Sequence, residues 1–127
     1  MTSGQLPKVI NRGDVVWVAD PFDFDETEGN EGSDHPYLII STDAHPFQGT
    51  EYLALLITST DRELAVSLTD SHWRYGGLSN RSYVNPWTVV TLKNSDLDGY
   101  QGMVEEEIVD TAVAEIPQYI GLSLQNE

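Results

Sequence analysis

Apolar positions follow one period through most of this chain and another near its end. Val15-Val16-Trp17-Val18 is a β-rich run that follows Asn11-Arg12-Gly13-Asp14, a turn-like tetrad. Residues 35–41, His-Pro-Tyr-Leu-Ile-Ile-Ser, predict a strand with Pro36 at its first position, where no ladder donor is required. Residues 52–58 are the most apolar stretch and predict a central strand, whereas 64–68 alternate as a half-buried strand does. Residues 83–85 and 87–92 predict one strand interrupted by Pro86, or two short ones, with Pro86 marking a bulge or an edge. The stretches 42–49 and 71–80 read as loops, the second around Gly76-Gly77.

After that the period changes. Ile108, Val109, Ala112, Val113 and Ile116 recur at helical spacing. Glu105, Glu106 and Glu107 precede them, where the positive end of the helix dipole favours acids, and Pro117 closes the pattern. Five or six short strands followed by one helix predict a mainly β domain over residues 1–127, a small barrel or half-barrel with a packed helix.

Charge narrows the function. Lys and Arg number 6 against 21 Asp and Glu, a net charge of −15. That balance argues against a free basic nucleic-acid binder and against an anionic membrane surface. It resembles the composition of salt-loving archaea, where molar salt shortens the Debye length to ~3 Å and acidic surfaces keep proteins hydrated. The chain has no cysteine, which excludes disulfides, thiolate-bound zinc and thiol nucleophiles. No apolar run approaches the ~18 residues of a membrane span, and residues 1–8 hold no apolar signal core. A soluble, cytoplasmic protein is expected.

The densest acidic run, Asp20 to Asp34, reads as a solvated loop. A calcium loop of the EF-hand kind needs Gly at its sixth position and Glu at its twelfth. Counting from Asp23 these are Glu28 and Asp34, and from Asp25 they are Asn30 and Pro36, so neither register fits. No phosphate-cradling Gly loop, Ser-His-Asp order or metal triad is visible, and His45 and His72 lack ligand spacing. No cofactor is expected.

The order of short motifs is more telling. Arg12-Gly13-Asp14-Val15-Val16-Trp17 resembles the opening of PemK/MazF-type toxins, an Arg-Gly-Asp turn running into the first strand. Residues 35–43 resemble their second signature, a Pro-led apolar strand closed by a polar residue and Asp or Asn. Leu55-Leu56-Ile57-Thr58-Ser59 resembles the third, an apolar strand ending in Thr-Ser. Gly77-Leu78, Ser82-Tyr83-Val84 and Val89-Val90-Thr91-Leu92 fall where the family has later strands, and the final helix fits. The likeness runs from about Ile10 to Leu122.

That resemblance implies an SH3-like barrel, a two-fold homodimer, and metal-independent cleavage of single-stranded RNA (an mRNA interferase). It also implies a cognate antitoxin that blocks the RNA groove. Such cleavage uses the neighbouring 2′-hydroxyl as nucleophile, so the site needs a base, an acid and a donor or cation for the phosphorane. Thr58 matches the family's Thr at the end of the third strand. The family's Arg before the second-strand Pro is His35 here, and its Arg in the later strand is Val90. The candidate catalytic set is therefore His35, Thr58 and Ser59, since an imidazole exchanges protons near neutrality. Arg12, Arg74 and Arg81 are candidates for RNA binding, although Gly13 beside Arg12 points to a structural turn. Trp17, Trp73, Tyr75, Tyr83 and Trp87 offer stacking surfaces, with Trp17 and Trp87 read as core first. Two alternatives stay open beside the toxin: a catalytically degenerate barrel that binds a protein or RNA, and a module holding a metal in the acidic loop.

Overall fold

A computed structural model describes residues 4–19 and 34–122. The calcium-loop test and most of the acidic run lie outside these residues. The strands are β1 (Asp14–Ala19), β2 (Asp34–Ile39), β3 (Glu51–Thr58), β4 (Val66–Leu68), β5 (Trp73–Gly76), β6 (Ser82–Lys93) and β7 (Leu97–Val104). Two helices follow, α1 (Glu106–Ala114) and α2 (Ile116–Tyr119). The strands form one antiparallel sheet in the order β4-β6-β3-β2-β1-β7-β5, curled into a half-barrel.

Both faces of this sheet carry a core. Val15, Leu38, Leu55, Ile57 and Val84 pack with Ile108, Val109 and Ala112 of α1. On the opposite face Val16, Val18, Tyr37, Ile39 and Leu56 pack with Ile10, Tyr52 and Leu92. Residues buried alternately to two cores leave no polar face, which is why β1 and the middle of β3 read as apolar runs. Full burial of each such side chain is worth about 1.5–3 kcal/mol. As expected, β3 is an interior strand, flanked by β2 and β6.

The Arg-Gly-Asp turn has a backbone reason. Gly13 has φ +100°, its N–H donates to the Ile39 carbonyl at 2.8 Å, and its own carbonyl accepts from Val104 N–H at 2.9 Å. A Cβ there would meet that Val104 carbonyl neighbourhood at 3.3 Å, so glycine alone fits without strain.

Several expectations need correction. The 71–80 loop contains β5, and β7 was not legible at all. These two strands pair through Gly76 and Gly102, where the backbones approach so closely that a Cβ on Gly102 would lie 2.8 Å from the Gly76 Cα. Positions buried by glycine leave no apolar mark to read. The 64–68 strand shortens to β4 because Leu64 adopts φ +79°, outside the β region. Pro86 does mark a bulge within a single long strand: the β3 partner jumps from Val89 opposite Leu55 to Asn85 opposite Leu56. The helical pattern splits in two, with Pro117 in the first turn of α2, where its missing N–H costs nothing. Trp17 and Trp87 are half-buried rather than core: the Trp17 indole N–H donates to Gln101 Oε1 at 2.7 Å, and Trp87 meets the Tyr119 ring edge-on at 5.5 Å.

Candidate functional site

Strand register builds the site. Val18 of β1 pairs with His35 of β2, and Thr58 of β3 pairs with Tyr83 of β6, which pairs on its other side with Ser67 of β4. β2 and β3 pair through Tyr37–Leu56, Leu38–Leu55 and Ile39–Ala54, and the same register continued two residues on would set His35 across from Thr58. Val18–His35 and Thr58–Tyr83–Ser67 are thus two paired rows that the β2–β3 register, continued past Tyr37–Leu56, would bring into line. Alternation along each strand puts His35 and Thr58 on the face of Val16, Tyr37 and Leu56. His35 is half-buried, and Thr58 is only 4% exposed. The Thr58 Oγ1 accepts the Thr60 backbone N–H at 3.0 Å, which fixes that oxygen at the strand end. Ser59 is the first residue past β3 and is exposed.

The next row of the same face holds Asn85, opposite Leu56. Asn85 is 3% exposed and its Oδ1 has no hydrogen-bond partner. A buried carbonyl oxygen without a partner costs of order 1–3 kcal/mol. Its place immediately before the bulge could have been read from Tyr83-Val84-Asn85 followed by Pro86, but not its burial.

Asp34, which precedes His35 at the end of the acidic run, lies beside Asp98, an acid the sequence did not single out. Partial desolvation, then the neighbouring Asp98 carboxyl with which it shares a hydrogen bond, raise the Asp34 pKa above the usual carboxylate range. The positive charge of His35 opposes that shift.

The candidate cations separate. Arg12 is clamped: its Nε donates to Glu106 at 2.8 Å, one Nη to Asp110 at 2.5 Å, and the other to the Ile40 carbonyl at 2.8 Å. Although burial opposes it, the two carboxylates of α1 raise the guanidinium pKa. A phosphate here would have to displace two carboxylates, so the geometry favours the structural turn. Arg12 also lies at the start of β1, whereas His35 pairs near its end. Arg74 is exposed on β5, 3.6 Å from the sulfur of Met103, which pairs with Asp14. It therefore shares Arg12's end of the sheet. Arg81 is exposed just before β6, at the end of the strand where Tyr83 meets Thr58. Neither Arg74 nor Arg81 has a carboxylate partner among the described residues.

A second buried polar cluster stands apart from the row. Asp14, 2% exposed, accepts from the Asn11 N–H at 2.6 Å and from the Tyr100 hydroxyl at 2.8 Å, and Tyr100 contacts the exposed Tyr75 hydroxyl at 3.1 Å. Desolvation raises the Asp14 pKa despite these hydrogen bonds, and desolvation with the adjacent carboxylate pushes the Tyr100 hydroxyl well up. Its task is to hold the Arg-Gly-Asp turn. His45 and His72 do similar local work, each accepting a backbone N–H through Nδ1, from Phe47 and from Thr69. No group of three or more metal-ligating side chains occurs among the described residues, and no helix among them is long and apolar enough to cross a membrane.

Comparison with known proteins gives this geometry a context. None of the curated proteins matches the chain. An endoribonuclease from a mycobacterial species superposes with a TM-score of 0.67 at 21% identity, covering 95% of this chain and 100% of that one. An endoribonuclease bound to its cognate antitoxin, also mycobacterial, gives 0.64 at 20% identity, covering 94% and 100%. A MazE–MazF complex from Deinococcus radiodurans gives 0.63 at 16% identity, covering 92% and 100%. At these identities the likeness establishes the fold. The family model for PemK-like, MazF-like toxins of type II toxin–antitoxin systems matches residues 11–120. With the Arg-Gly-Asp turn, the curled seven-stranded sheet and the closing helices in family order, the chain belongs to the PemK-like, MazF-like toxin family.

Proposed function

We propose that this protein is an endoribonuclease toxin that cleaves single-stranded RNA by attack of the 2′-hydroxyl on the adjacent phosphate. What supports the reading is the β2–β3 register of a MazF-like sheet, Tyr37 on Leu56, which continued toward the start of β2 brings His35 to the end of β3 where Thr58 stands. His35 takes the 2′-hydroxyl proton as the O2′–P bond forms. Thr58, with Ser59 beside it, orients the phosphate. The P–O5′ bond breaks, and the leaving oxygen acquires a proton from the imidazolium or from water. The products are a 2′,3′-cyclic phosphate and a 5′-hydroxyl. Arg81, at the same end of β6, supplies positive charge toward the phosphorane. The working protein is a cytoplasmic homodimer that pairs with an antitoxin, and two-fold pairing covers sheet edges that a monomer leaves open.

A second reading has its own observation. The family's cationic positions are His35 and Val90 here, so a barrel that binds RNA without cutting it keeps the fold and loses the chemistry. One experiment separates the two: single-stranded RNA incubated with the protein in molar KCl, with and without EDTA, and the ends identified by mass spectrometry. Cyclic-phosphate ends in both arms support the toxin. Intact RNA retained by the protein supports the non-cleaving barrel.

A further inference from the structure

A cleft of about 390 Å³ opens beside the Thr58–Tyr83–Ser67 row, between β4 with the turn after it and the segment leading into β6. It shares Tyr83 and Ser67 with that row. Its volume lies within the range of sites for small organic ligands, ~300–1,000 Å³, and exceeds what ordered water alone requires. Trp73 and Leu78 form its apolar wall, and both pack against the core beneath α1, so the indole is held in place. Asp70 and Arg81 bring one charge of each sign to the lining, and they form no ion pair with each other.

We infer that this cleft is a nucleotide subsite, taking a base with an exocyclic amino group against Trp73 and its phosphate on Arg81. The inference rests on the RNA reading above and adds to it a place and a preference. A half-buried indole that lines the cleft is the kind of side chain on which unpaired bases stack. The chain has six cationic side chains, and among the candidate arginines Arg81 alone combines exposure with this end of the sheet. A lone guanidinium in so acidic a protein has phosphate as its natural partner. A carboxylate at Asp70 can accept but not donate, so it favours the amino group of cytosine or adenine over the carbonyl of uracil. Tyr83 and Ser67 line the cleft and also belong to the row that ends β3, so the cleft lies at the same end of the sheet as Thr58.

The test uses mononucleotides, so that it reads the cleft separately from cleavage. Isothermal titration of the full chain in molar KCl with cytidine monophosphate and uridine monophosphate compares wild type, Arg81→Gln and Asp70→Asn. Both substitutions are at exposed positions, and circular dichroism checks that the fold is kept. The expected result is that the cytidine nucleotide binds wild type more tightly than the uridine nucleotide does. Arg81→Gln should weaken it about tenfold, and Asp70→Asn should erase the preference. Absence of binding, or equal binding by wild type and Arg81→Gln, overturns the subsite. If RNA is cut while mononucleotides fail to bind, the subsite falls and the endoribonuclease stands. If they bind as expected while RNA stays intact, the subsite stands and the cleavage chemistry falls.

Discussion

Replacing Arg12 with methionine keeps the aliphatic stem and removes three donors at once. Two of them serve ion pairs with Glu106 and Asp110, whose side chains are each 64% exposed, against 19% for Arg12. Pairs this open are worth roughly 0.2–1 kcal/mol each. The third donates to the Ile40 carbonyl in a part-buried setting, a charge-assisted bond worth about 1.5–3 kcal/mol. The sum predicts a loss of about 2–5 kcal/mol, or roughly 6–20 °C in Tm for a chain of this length. Salt divides it: denaturation in rising KCl should shrink the ion-pair share, because exposed pairs are screened, and leave the carbonyl share. A double-mutant cycle with Asp110→Asn isolates the stronger pair. RNA binding measured where the variant is fully folded should stay near wild type. An Arg12→Met protein with unchanged Tm and RNA affinity reduced tenfold or more would refute the structural assignment of this arginine and return it to the groove.

Other outcomes follow from the same structure. With −15 per chain, and twice that per dimer, self-repulsion should destabilise the fold in dilute buffer, so Tm rises from ~0.1 to ~2 M KCl; a flat profile would remove the salt-adaptation argument. Light scattering in high salt should report a homodimer at tens of micromolar, and a monomer would count against the assembly. Asp14 binds its proton more tightly folded than unfolded, so its contribution to stability is present at low pH and is lost as pH rises from the ordinary carboxylate value of ~3.9 through its raised one. The Tm of wild type minus that of Asp14→Asn should therefore fall across that window, and a difference that rises would reverse the sign of the argument.

How much of this could be read from the chain depends on how each residue announces itself. β1, β2, β3 and β6 are visible because their apolar side chains fill two cores, and the Pro86 bulge because proline cannot serve the ladder. β5 and β7 were invisible because their closest contact is glycine on glycine, and a missing side chain leaves no periodicity. For the site, motif order proposes His35 and Thr58, and the register of β2 on β3 is what makes their approach physically reasonable. The Asp34–Asp98 pair joins residues far apart in sequence and has no local signature. Asn85 shows only a polar residue in a strand; that its oxygen is buried without a partner emerges from packing alone. Arg12 illustrates the converse. The sequence marks it as a cation in an Arg-Gly-Asp turn, yet helix carboxylates nearly a hundred residues away decide what it does.

The central claim is most directly tested by the single-turnover rate of cleavage of single-stranded RNA in molar KCl, for wild type, His35→Ala and Thr58→Ala. Acid–base catalysis by a positioned side chain is typically worth ~10²–10⁴ in rate. Wild type should cut and leave 2′,3′-cyclic phosphate ends, and His35→Ala should cut slower by that factor with its fold intact. A wild type that cuts nothing at any salt concentration, or a His35→Ala protein that cuts as fast as wild type, would contradict the account.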